Sequence, residues 1–410
     1  MNAGDTAWVL MSTVLVFVMT PGLAFFYGGL VRRKNVLSIL MQCFIIMCAI
    51  SLQWVLYGYS LAFGPDTGWG IIGGLDWAGL KGVGGAPNGD YAATIPHLVF
   101  MIFQAMFAII TPALIIGAFA ERVKFSSFLV LTILWATLVY DPLAHWVWST
   151  GGWMRRLGAL DFAGGIVVHV SSGISALVMA LLLGKRIGYA SEPFRPHNLP
   201  FTVLGGALLW FGWFGFNAGS ALAANELAAN AFVTTNTATA AAGFAWALIE
   251  WRIHGAPTVL GTVTGAVAGL VAITPACGFV SPLSSIVIGA AASAICYMAI
   301  AVVKAKLGYD DSLDAFGVHG VGGAWGTIAT GLLAEKAVNS AGADGLFFGG
   351  LHQFLVQLAL VGVTVLYAAV VTFVLFKVID ALLGMKVDKK SEILGLDLSQ
   401  QCESAYTVVE

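Results

Sequence analysis

The sequence predicts an all-α polytopic membrane protein. Eleven transmembrane helices form two inverted five-helix repeats, with a long eleventh helix outside them. Three observations carry that expectation. The first is composition: 59% of residues are hydrophobic and only 10% charged, against roughly 25% charged in soluble domains. The second is a series of eleven apolar runs, each near the ~20 residues that a helix needs to cross a bilayer. The third is a recurrence. The fifth and tenth runs carry histidines in matching surroundings, "DFAGGIVVHVSSG" and "DAFGVHGVGGAWG", both containing His-x-x-x-Gly. Because five is odd, a five-helix unit and its repeat cross the membrane in opposite senses.

The spans begin with residues 7–31, followed after the basic break at Arg32, Arg33 and Lys34 by 36–63. The third, 95–120, stops before Arg122 and Lys124, and the fourth, 125–148, ends in the tryptophan-rich "HWVWSTGGW". The fifth, 162–184, opens behind Asp161 and stops at Lys185 and Arg186. The sixth is 200–222; the seventh, 231–251, stops at Arg252. The eighth and ninth are 257–275 and 278–304, the latter bounded by Lys304 and Lys306, and the tenth is 314–333. The eleventh, 346–380, rises ~1.5 Å per residue, exceeds a ~30 Å core and must tilt or protrude. These runs divide the chain into a transmembrane unit over 1–384 and a tail over 385–410, with repeat one at 7–184 and repeat two at 200–333.

Of the 19 Lys and Arg residues, 15 fall on the side of the tail, the exceptions being Lys81, Arg155, Arg156 and Lys336. The positive-inside rule then puts the tail in the cytoplasm and the N-terminus outside. The opening "MNAGDTAWVL" lacks the basic region of a signal peptide. The 50 glycines suit close helix packing, since lipid gives helices no hydrophobic reason to associate. The five cysteines show neither metal-ligand nor disulfide spacing, and a net charge of −2 gives no reason to expect a nucleic-acid partner.

A titratable ring inside a membrane helix is costly and marks function by default. His169 is preceded by Asp161, and Asp314 leads into His319. Inverted repeats place substrate sites at their shared interface, where these two rings would meet. Each ring alone could be a core histidine bound to a carbonyl. As a pair they could share a proton, with their outer nitrogens facing a passage. Two ligands fall short of a zinc site. His352 reads as structural, and His97, His145, His197 and His254 fall at helix ends or loops.

Aromatic residues gather at the outward ends of three spans: Phe103 and Phe107 at i, i+4; Trp213 and Phe216 one turn before Ser220; and Trp148. Such rings usually form core or interfacial belts. Together with one hydroxyl they could hold a small cation by its ring contacts, worth ~0.5–2 kcal/mol each. Asp161 occupies a helix-start position, where Asp caps free N–H groups. Asn caps about as well, so Asp161→Asn is expected to fold and to lose only the charge.

From "TPGLAFFYGGL" through "FAIITPALIIGAFAER", "WFGWFGFNAGSA", "GLVAITPACGFVSP" and "DAFGVHGVGGAWGT" to "GLDLSQQCESAY", the chain resembles the ammonium transporter, methylammonium permease and Rhesus family. The resemblance implies an eleven-helix subunit in a homotrimer of the inner membrane, one pore per subunit, without cofactor, carrying ammonium or ammonia and methylammonium. It implies that Phe103, Trp148 and Ser220 form an external recruitment site, with Asp161 nearby. Phe107 and Phe216 form a gate, and His169 and His319 line the pore. A PII-type signalling protein is the implied partner at the cytoplasmic face. The tail departs from the family pattern, with Gln401 and Cys402 where His and Gly are usual, and Ser172 stands where Ala is commoner. The alternatives are an ammonium sensor of the same fold and an intramembrane hydrolase. No His is followed by Glu as in HExxH, and Ser220 lies in "NAGSA" rather than a nucleophile-like turn.

Overall fold

Apolar runs without β-branched alternation fold as helices whose backbone polar groups are satisfied internally, as hydrocarbon requires. The computed structural model describes residues 1–406; residues 407–410 of the expected tail lie outside the described residues. The helices are α1 (Ala3–Leu30), α2 (Arg33–Phe63), α3 (His97–Phe119), α4 (Phe125–Arg156), α5 (Gly165–Leu183) and α6 (Leu199–Ala221). They continue with α7 (Glu226–His254), α8 (Val259–Ile273), α9 (Pro282–Leu307), α10 (Val321–Leu333) and α11 (Leu351–Leu383). The short α12 (Lys389–Leu394) lies in the tail.

Among the described residues, eight helices are long and apolar enough to cross a membrane. The chain is thus an all-α polytopic membrane bundle. Three expected spans fall outside those eight. α7 is 29 residues long but rich in Thr, Asn and Ala; α8 has only 15 residues; α10 is short and prolonged by the turn Phe316–Gly320. α11 is the longest at 33 residues, and it begins at Leu351 rather than 346 because Gly349 and Gly350 break the chain there. α5 begins at Gly165 rather than 162, since the residues before it fold back to cap it.

α5 and the α10 segment open in the same way. Each starts with a π-helical turn, Gly165–Val170 and Phe316–Gly320, that carries the histidine. Inserting a residue into an α-helix in this manner re-aims side chains and recurs at functional sites. Where the two elements cross, Gly173 lies so close to its neighbour that a Cβ would fall 2.0 Å from Gly320 N, and a Cβ on Gly323 would fall 2.7 Å from His169 Cβ. Each glycine four residues after one histidine thus makes room for the other histidine's segment.

On the tail's side, charged loops knit the helix ends together. Arg186 forms ion pairs with Asp310 at 2.8 Å and Glu121 at 3.1 Å, and Arg32 joins Glu121 at 2.8 Å. Burial pushes the Asp310 carboxyl up, but the hydrogen bonds and charge of Arg186 outweigh it and hold the group below the usual range. The tail is drawn into this surface. Ser38 N donates to Asp397 Oδ1 at 2.8 Å, Leu396 N to Asn35 Oδ1 at 2.8 Å, and Ile187 N to Glu392 Oε1 at 2.6 Å. Cys402 has φ 58°, a left-handed conformation that glycine adopts freely and other residues only at a cost.

Gly173→Ala is expected to cost ~1–3 kcal/mol or more, since the new methyl meets backbone rather than a flexible side chain. Gly362→Ala, with nothing within 4 Å of the added Cβ, should cost nothing measurable. Thermal melts of both variants in detergent check this. Equal melting temperatures would refute the close crossing.

Candidate functional site

His169 and His319 meet at the crossing of α5 and the α10 segment, Nδ1 to Nδ1 at 3.3 Å, with ring centroids 5.3 Å apart. Both are buried. A shared contact between two Nδ1 atoms requires one to carry the proton and the other a lone pair. Their Nε2 atoms are then of opposite kind, one an acceptor and one a donor. Like charges so close could not both persist, so the pair holds at most one extra proton. His169 Nε2 has no protein partner among the described residues. Trp213 stacks on the His169 ring at 5.5 Å and 24°, a contact that the sequence placed on the right face of α6 but not against the histidine.

Above the histidines, Phe107 and Phe216 lie 4.3 Å apart between centroids at an angle of 37°. They form a partition. Phe107 lines a cavity of about 170 Å³ on the side of the N-terminus, with Trp148, Ser220, Gln104, Phe162 and Arg155 among its walls. Phe216 lines a second cavity of about 440 Å³ that contains His169 and His319 and is otherwise walled mainly by groups such as Leu114, Val168 and Val318. The two cavities share no lining residue.

Trp148 and Ser220 line the same cavity. Trp148 meets Phe107 edge-on at 5.9 Å. Ser220 Oγ donates to Phe216 O at 2.8 Å, which leaves its lone pairs free to accept. Phe103 is fully buried and packs against Phe107 at 5.0 Å, supporting the partition from behind rather than lining the cavity of Trp148 and Ser220. Gln104, one residue on, lines it instead. Sequence reasoning missed Gln104, because a polar residue in an apolar run carried no partner pattern. It also missed Arg155, whose Nη1 donates to Trp148 O at 2.5 Å.

Asp161 caps α5 from inside the bundle. Its Oδ1 accepts from Gly164 N at 2.8 Å and Gly165 N at 2.6 Å, and its Oδ2 from Ile166 N at 2.8 Å and Val167 N at 3.2 Å. Gly164, at φ 123°, makes the fold-back possible. The Asp161 carbonyl accepts from Trp148 Nε1 at 3.0 Å, so this residue positions both the His169 turn and the Trp148 ring.

The matching acid in the second half is Asp311, not Asp314. Asp311 accepts from Ala315 N at 3.1 Å and Phe316 N at 2.8 Å, whereas Asp314 pairs with Lys304 at 2.5 Å. Asp161 precedes His169, and Asp311 precedes His319, by the same eight positions. Choosing the acid nearest to the histidine, instead of the one at equal spacing, produced the wrong pairing. His352 is exposed at the start of α11 and lines neither of the two cavities. Among the described residues no cluster of three or more His, Cys, Asp or Glu could hold a metal ion.

Residues 7–406 match the model of the Ammonium Transporter Family. The chain belongs to that family. It is 56% identical over 407 residues to an ammonium transporter of Bacillus subtilis, covering 99% of each chain, and 51% identical to ammonium transporter Amt1 of Archaeoglobus fulgidus, covering 99% and 100%. The crystal structure of Saccharomyces cerevisiae Mep2 superposes with a TM-score of 0.89 at 37% identity, over 95% of this chain and 88% of that one. A structure described as a sensor Amt protein also superposes at 0.89, with 29% identity over 97% and 98%.

The doubly anchored Asp161 changes what Asn can do there. Its amide would turn NH2 toward two of the four backbone donors, and each buried donor left unpaired costs ~1–3 kcal/mol. Asp161→Asn is therefore expected to melt earlier than the unaltered protein in detergent, contrary to the simple capping expectation. An unchanged melting temperature would return Asp161 to the role of an ordinary cap.

Proposed function

We propose that this chain carries ammonium across the membrane, taking it up in the outer cavity, removing its proton at the Phe107/Phe216 partition and passing ammonia along His169 and His319. The observation that carries this reading is the partition itself: two separate cavities, aromatic on one side and histidine-lined on the other, divided by two phenyl rings. A bare ion in an apolar passage is costly, while ammonia passes cheaply. Potassium resembles ammonium in size but cannot give up a proton, so deprotonation selects where a sieve could not. If the proton follows through the histidine pair, net charge crosses and the membrane potential contributes ~2.3 kcal/mol per 100 mV.

In this reading Trp148 and Ser220 recruit the cation, Phe103 backs the gate, and Asp161 positions both the recruiting ring and the pore histidine. The eleven spans form two inverted repeats, a reading supported by the equal spacing of Asp161–His169 and Asp311–His319. The N-terminus lies outside and the tail in the cytoplasm, by the distribution of Lys and Arg. The assembly is a homotrimer, and a PII-type signalling protein would meet it on the tail's face.

Current recording on a supported membrane tests the reading. Ammonium and methylammonium jumps should give currents and potassium jumps none. Potassium currents equal to those of ammonium would overturn selection by deprotonation, and ammonium binding without flux would favour a sensor. Trp148→Leu should raise half-saturating ammonium severalfold, its ring contact being worth ~0.5–2 kcal/mol; an unchanged value would make Trp148 a packing residue.

Arg155 adds a positive charge to the wall of a cavity that must admit a cation. Arg155→Gln should lower half-saturating ammonium by about two-fold, as expected for a charge several ångströms away in water. The difference should fade above ~0.5 M salt, where screening shortens to a few ångströms. The same half-saturation at every salt concentration would show that Arg155 acts only as a brace for Trp148.

A further inference from the structure

The inner cavity reaches past the histidines to a carboxylate that the transport reading leaves unused. Glu250, near the end of α7, is 8% exposed and lines the same cavity as His169 and His319. Trp246 Nε1 donates to its Oε1 at 3.2 Å; Thr258 N and Thr258 Oγ1 donate to its Oε2 at 2.7 and 2.9 Å. All three donors are neutral. They satisfy the carboxylate oxygens without bringing a positive charge to them.

No Lys, Arg or His lies within ion-pair distance of Glu250 among the described residues. The other carboxylate on the cavity wall, Asp314, is neutralised by Lys304 at 2.5 Å. Space for Glu250 is reserved by Gly261, where a Cβ would fall 2.0 Å from its Oε1. Aromatic rings flank it. Trp246 and Tyr297 pack edge to face at 5.4 Å, and the Tyr297 hydroxyl contacts His254 Nε2 at 2.9 Å.

We propose that Glu250 forms a second cation site at the inner end of the passage, for ammonium or methylammonium. The proposal rests on the transport reading above. Ammonia leaving the histidines is protonated again on the tail's side by the proton that follows through the His169–His319 pair. The resulting ammonium meets an anion with no cation of its own. Ammonium entering from the tail's side meets the same site first. Glu250 thus governs capture from one face only.

The competing view is that Glu250 only caps the start of α8, where Thr258 is already the capping residue. Uniformly oriented proteoliposomes separate the two, with ammonium jumps applied to either face and currents recorded. Glu250→Gln should raise half-saturating ammonium about three-fold or more from the tail's face, the scale of one lost charge contact, and leave the opposite face unchanged. Glu250→Asp should restore most of the difference, and Thr258→Ala, which keeps the charge, should move neither face. A symmetric shift, no shift, or the same effect from Thr258→Ala would overturn the site. If Glu250→Gln does not reach the membrane, Gly261→Ala must give the one-sided shift by displacing the carboxylate, and its absence would also overturn it. Loss of current in the unaltered protein would refute the transport reading, whereas normal current with a symmetric Glu250→Gln refutes this site alone.

Discussion

Two imidazoles held with their Nδ1 atoms 3.3 Å apart in an apolar interior set the terms for the packing around them. Rings that close require backbones that close, and ordinary side chains at the crossing would hold the helices apart. Glycine at 173 and 323 removes that obstacle. The π-helical turns then rotate each ring toward the other instead of along the helix face. Such turns leave donors unpaired at their start, and Asp161 and Asp311 take them up. Histidine placement, glycine crossing, turn and cap are one connected arrangement.

The aromatic partition depends on the same arrangement through α6. Trp213 lies on the His169 ring and Phe216 lies one turn further along the same helix, against Phe107. The spacing of three residues that placed Trp213 and Phe216 on one face fixes the distance between gate and histidines. A shift of α6 against the crossing would therefore open the partition and uncover His169 together. Glycines along the contact of α1 and α6 oppose that shift: a Cβ on Gly205 would fall 2.2 Å from Phe26 N.

Much of the site was legible in the sequence because its chemistry is unusual for a membrane. Paired histidines, clustered rings and a lone serine stand out in apolar runs, and their helical spacing is enough to bring them together. Eight of the expected spans were equally legible from hydropathy, whereas α7, α8 and α10 are not long and apolar enough to count among them. What sequence could not supply was geometry without a chemical signature. A π-helical turn has no composition of its own. Asp311 could have been found by counting eight residues back from His319, but Asp314 stood nearer. Phe103 and Gln104 are neighbours, and only the facing of α3 decides which of them meets the cavity of Trp148 and Ser220. The docking of Asp397 and Leu396 on the start of α2 joins residues some 360 positions apart, beyond any local pattern.

The reciprocal glycines carry a consequence for how such a sequence can change. Gly173 belongs by position to the His169 half but touches the His319 segment, and Gly323 does the reverse. Neither half can then drift on its own. A larger residue admitted at 173 would be tolerated only after the chain around 319 and 320 had moved, and the same holds for 323 and 169. Among descendants of this chain these positions should covary across the two halves more strongly than within either. A chimaera joining the first half of one relative to the second half of another should fail first at this crossing.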